Sequence, residues 1–60
     1  MKNKSYQCTD GFVTKTISAT SAQEAAEAYA IITTDVDVVE LAGDGNERGE
    51  HQTIRVEIAE

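Results

Sequence analysis

Cys8 is the one cysteine in a chain of 60 residues, so no internal disulfide can staple the fold. His51 is the only histidine, which puts a structural zinc site with the usual nitrogen and sulfur ligands out of reach. A chain this short buries only about 60% of the surface its unfolded form exposes, leaving a thin margin of stability. What disulfides and metals do not supply must come from packing, or from association with another chain. This length allows one domain, spanning residues 1–60.

A single unpaired thiol fits a reducing compartment. The opening residues Met1 to Ser5 lead into no apolar run of signal-peptide length. No segment approaches the ~20 apolar residues of a membrane span. The expectation is a cytoplasmic chain that makes no use of a membrane.

The net charge of −6 is unevenly placed. Residues 1–20 carry Lys2, Lys4 and Lys15 against Asp10, a local +2, whereas residues 21–60 carry ten acids against Arg48 and Arg55, a local −8. Phosphate binding rests on clustered Lys and Arg, so nucleic acid is disfavoured as a partner. Three lysines in the first strands, without flanking aromatics, make a thin footprint against such an acidic body.

Four strands and a helix can be read from the pattern. Residues 4–19 form a hairpin around Asp10-Gly11, a favoured two-residue turn. Closing it there pairs Thr9 with Phe12, Cys8 with Val13, Tyr6 with Lys15 and Lys4 with Ile17. Tyr6, Cys8, Val13, Ile17 and Ala19 then share the core face, with Lys15 as the misfit, and Phe12, Thr14 and Thr16 share the outer face. Ser21 and Glu24 stand at capping-box spacing before a helix over 21–33, whose stripe is Ala22, Ala25, Ala26, Tyr29 and Ile32. A last strand over 51–59 alternates Ile54, Val56 and Ile58 inward with Thr53, Arg55 and Glu57 outward. Residues 36–42 read as a strand with apolar residues on both faces. Val39 and Leu41 share one face with Asp37, and Val36 and Val38 share the other with Glu40. Placing Val39 and Leu41 inward lets Asp37 reach water at the strand end.

The fold class is therefore α+β, in the order ββαββ, with one helix packed on a four-stranded, mostly antiparallel sheet. A β-grasp-like spatial order 2-1-4-3 is favoured, because it centres the apolar strand 51–59 and leaves the charged 36–42 at an edge; the alternative is 1-2-3-4. In size and element order the chain resembles the immunoglobulin-binding domain of protein G. That resemblance covers the layout alone, and with no shared motif no binding residue carries over.

Catalytic signals are weak. Cys8 and His51 are the only pair with nucleophile and base character, and alternation puts them on opposite faces of the sheet. The loop from Gly43 to Glu50 fails as an EF-hand, since counting from Asp44 puts Arg48 fifth and Arg55 twelfth. Its glycines precede a strand and not a helix, so they form no phosphate loop. The reading is of no enzyme, no cofactor and no metal.

What remains is a non-catalytic protein-interaction module, a homodimer or an adaptor. Its candidate interaction residues are Phe12, Thr14, Thr16, Val36, Val38 and Glu40, the apolar and edge positions expected on the open sheet face. The alternative is an acidic inhibitor or decoy, with segment 21–60 covering the basic surface of a nucleic-acid-binding protein.

Overall fold

The computed structural model describes residues 3–59. The first hairpin joins β1 (Lys4–Thr9) to β2 (Thr14–Ala19), α1 (Ala22–Tyr29) follows, and β3 (Thr34–Leu41) and β4 (Glu47–Val56) form the second hairpin. Every pairing is antiparallel, and the spatial order is β2-β1-β3-β4. The α+β class and the four-stranded sheet match the sequence pattern. The order differs from both 2-1-4-3 and 1-2-3-4: β1 pairs with β3, not with β4, so β3 is central and β4 is an edge. The likeness to protein G's domain thus stops at element order.

The reason lies in β3. It is hydrogen-bonded along both edges, to β1 on one and β4 on the other, and carries apolar residues on both faces. Val36 and Val38 lie fully buried in the core with Tyr6, Cys8 and Val56, while Val39 is buried outside that cluster, on the far face. The expected orientation is therefore reversed, because Val36 and Val38 face the helix and Val39 and Leu41 face away. Strand β4 has one apolar face, Ile54 and Val56, and a charged remainder, which suits an edge.

The first hairpin closes with a four-residue loop, not a two-residue turn. Thr9 pairs with Thr14, Cys8 with Lys15, Tyr6 with Ile17 and Lys4 with Ala19. A type I′ turn needs positive φ at both central residues. Only Gly11 has it, at +98°, and no described non-glycine residue does. The slip is two residues, which preserves the faces. Tyr6, Cys8 and Ala19 are buried as their alternation requires, and Lys15 is exposed.

Helix α1 starts as its sequence dictates. Ser21 Oγ accepts from the Glu24 N–H at 3.2 Å, and Glu24 reaches back to the Thr20 N–H at 3.1 Å and the Thr20 hydroxyl at 3.0 Å. It ends at Tyr29, four residues short of expectation, because Ala30 turns to extended backbone. Ile31-Ile32-Thr33-Thr34 follows, a β-branched run with poor helix propensity. Ala25, Ala26 and Ala30 press on the sheet, so the core is built from small side chains. Ile32, expected on the buried stripe, lies beyond the helix in water. Ile58 lies past the end of β4 and is also exposed, its N–H donating to Thr33 Oγ1 at 2.9 Å.

Candidate interaction surface

One end of the molecule gathers apolar side chains that the core does not take. The loop 10–13 is held from within: Asp10 Oδ1 accepts from the N–H groups of Phe12 at 2.9 Å and Val13 at 3.1 Å. Those two amides hold the Asp10 carboxyl below its usual range. Tyr29, in the last turn of α1, closes onto the same loop. Its hydroxyl donates to the Val13 carbonyl and accepts from the Asp10 N–H at 3.1 Å. Desolvation, followed by the neighbouring Asp10 charge, pushes the phenol up and keeps it neutral.

Beside this clasp the chain leaves the helix through Ile31 and Ile32. Phe12 is 93% exposed and Ile31 86%, and Ile32 and Val13 are more than half exposed. A groove of about 220 Å³ runs between the two loops, lined by Val13, Lys15, Tyr29, Ala30, Ile31 and Ile32, with Asp10 and Thr34 at its margins. Phe12, Ile31 and Ile32 thus stand in water, while Tyr6, Cys8, alanines and valines fill the core. Isolated exposed apolar residues are ordinary, whereas a contiguous cluster around a concavity marks a contact surface.

The residues expected from sequence divide into three groups. Phe12 stands on this surface. Thr14 and Thr16 are exposed on edge strand β2, facing away from the helix. Val36 and Val38 are under the helix and leave no atoms for a partner, which corrects their assignment to an open face. Glu40 is half-buried on the helix side and lies 3.7 Å from Lys4 Nζ. Val13, Ile31 and Ile32 were missed as surface residues. The signal for the isoleucines was present in the β-branched run after an uncapped helix end.

A second cluster lies on the face opposite the helix. His51 Nε2 is 2.7 Å from Glu47 Oε1, and Nδ1 is 3.1 Å from Asp37 Oδ1. An imidazole donates to both only when doubly protonated, so Glu47 first and Asp37 next raise its pKa above the ordinary value. The clamp sits where β4 bulges. Between the Val38–Gln52 and Glu40–Arg48 pairs, β3 places Val39 alone and β4 places residues 49–51, with Gly49 at φ +88°. Among the described residues no three His, Cys, Asp or Glu side chains are arranged to hold a metal ion. Cys8 is buried on the helix side, where burial pushes its thiol pKa up. It and His51 therefore stand on opposite faces, as alternation implies.

A groove of about 420 Å³ on the helix side opens between the start of α1 and Arg48 to Gln52. At that helix start Ser21 accepts from the Glu24 amide and Glu24 from the Thr20 amide, and Glu40 and Glu50 line the same groove. Comparison with protein-family models, with curated proteins and with solved structures finds no match. No described helix is long and apolar enough to cross a membrane.

Proposed function

We propose that the chain is a non-catalytic protein-interaction module whose docking surface is the apolar end formed by Phe12, Val13, Ile31 and Ile32. The observation that carries this reading is the exposure of Val13, Ile31 and Ile32 around a groove, with Phe12 exposed on the loop between the lining residues Asp10 and Val13, in a chain too small to leave large apolar groups unused without cost. The separation of Cys8 from His51 supports a non-catalytic role.

The acidic-decoy reading has less support. Asp35 is paired with Arg55 at 3.3 Å, Glu40 with Lys4, and Asp37 and Glu47 with His51. Glu24 is committed to capping the helix. Much of the acidic stretch is thus neutralised or engaged within the chain. The basic hairpin fares no better as a nucleic-acid contact, since Lys4 faces Glu40 and Lys2 lies outside the described residues.

Photo-crosslinking in the native cells tests the proposal. Phe12 is replaced by photoreactive benzoylphenylalanine, and Thr53, on the opposite sheet face, is replaced in the control. A discrete adduct from position 12 that excess unmodified protein competes away, and none from position 53, is the expected result. Equal labelling from both positions, or none from position 12, would overturn it.

A further inference from the structure

We infer that the groove between the start of α1 and Arg48 to Gln52 binds a small zwitterion, a free α-amino acid held by both its carboxylate and its ammonium. This groove shares no lining residue with the apolar end, so the inference stands apart from the docking reading above.

The first observation is an unused hydroxyl at the base of the groove. Tyr6 is only 6% exposed, and its ring belongs to the core. None of the side-chain hydrogen bonds of the described residues uses its hydroxyl. Among the described residues no side-chain polar atom sealed from solvent lacks a partner, so this hydroxyl opens into the cavity that Tyr6 lines. A polar group held in that way is met by water or by a ligand.

The second is a set of donors around the same space. Ser21 Oγ takes the Glu24 N–H, and the Ser21 carbonyl takes the Ala25 N–H at 3.0 Å. That leaves the N–H of Ala22, a lining residue, without an acceptor among the described residues. First-turn amides carry partial positive charge and favour a carboxylate. Arg48 also lines the groove and takes part in none of the ion pairs of the described residues. Its register partner Glu40 lies 3.7 Å from Lys4 Nζ instead. A guanidinium so placed offers its fork of donors to a carboxylate.

The third is the balance of charge. Glu40 and Glu50 line the groove as well, so a simple anion meets two carboxylates and a simple cation meets Arg48. A zwitterion answers both, with its carboxylate toward Arg48 and the helix start and its ammonium toward the two glutamates. A sugar fits less well, because the one aromatic lining residue keeps its ring in the core and offers only a hydroxyl. A volume of about 420 Å³ is of small-molecule size.

The test is a two-dimensional amide NMR titration of the full chain with each proteinogenic L-amino acid in turn. It runs to about 10 mM, which covers the weak affinity of a ligand with so few atoms. At least one amino acid should give saturable shifts at the Ala22, Gly49 and Gln52 amides, while those of Val13 and Ile31 stay still. The N-acetyl and carboxamide derivatives of that amino acid each lack one charge, and each should bind at least about 10-fold more weakly. Arg48→Gln should weaken the unblocked amino acid by a similar factor. Tyr6→Phe removes a hydroxyl that the described chain does not use. It should leave the urea midpoint in place and weaken binding about 3-fold or more. Phe12→Ala should leave binding unchanged, so failure of this site and failure of the docking surface are told apart. No saturable shift from any amino acid overturns the proposal. So does equal binding of the blocked derivatives, or an affinity that Arg48→Gln or Tyr6→Phe leaves unchanged. Glucose and inorganic phosphate serve as comparators, and saturation of the same amides by either at equal concentration overturns the assignment to a zwitterion.

Discussion

Phe12 is the only phenylalanine, yet its truncation should cost less stability than the loss of two carbons from Val36. Val36 is fully buried, and Phe12 is almost fully exposed. Val36→Ala removes two methylene equivalents at ~0.8 kcal/mol each, and the void left under α1 raises the total to about 2 kcal/mol. A domain of this size has roughly 3–9 kcal/mol in all. In urea, with a slope near 1 kcal/mol/M for so small a chain, the midpoint should fall by about 2 M. Phe12→Ala should move it by no more than about 0.5 M, the range of ordinary surface substitutions. The assay is far-UV circular dichroism at a protein concentration where dilution no longer moves the midpoint, so that association with another chain adds nothing to the apparent stability. A shift for Phe12→Ala equal to that for Val36→Ala would place Phe12 in the core and refute both the packing argument and the docking surface.

Three further outcomes follow from the geometry. An NMR titration should place the His51 pKa above its ordinary 6.5, and Asp37→Asn with Glu47→Gln should bring it back. A raised folded-state value means that the stability from this clamp is full below the unfolded pKa and is lost as pH rises through the folded one; an unshifted His51 would dissolve the clamp. Gly49→Ala should destabilise by about 1–2 kcal/mol through its positive φ alone, since open space surrounds it. Gly43→Ala, also in open space but without positive φ, should be neutral or slightly stabilising, and equal effects would contradict the bulge geometry. Cys8 should react with a thiol reagent only as fast as the domain opens; prompt labelling in native buffer would mean that it is not core.

The elements were legible because local rules govern them. Ser21 and Glu24 set the helix start, and two-residue alternation fixed the faces of β1 and β2 even though the hairpin register moved. That register was not legible: Asp10-Gly11 fits a tight turn by composition, but the Asp10 carboxylate caps the Phe12 and Val13 amides instead. Strand order was not legible, because apolar residues on both faces of β3 do not say which strands pair along its edges; β1 and β4 do. Phe12 was legible as an exposed residue from its place on the hairpin, but the stripe argument carried Ile32 into the helix, past the point where β-branched residues stop it. Val36 and Val38 followed the orientation error into the candidate set.

The Tyr29 hydroxyl joins two segments sixteen residues apart in the chain, the end of α1 and the loop after β1. Without it the apolar end would consist of two independent loops, each needing to be ordered when a partner arrives. With it, the loop carrying Phe12 and the turn carrying Ile31 are fastened when the domain folds, and the ordering entropy is spent then and not at encounter. A surface prepared in this way can bind through few contacts and still release quickly. If the apolar end docks a partner as proposed, that rigidity spares the encounter the cost of ordering two loops.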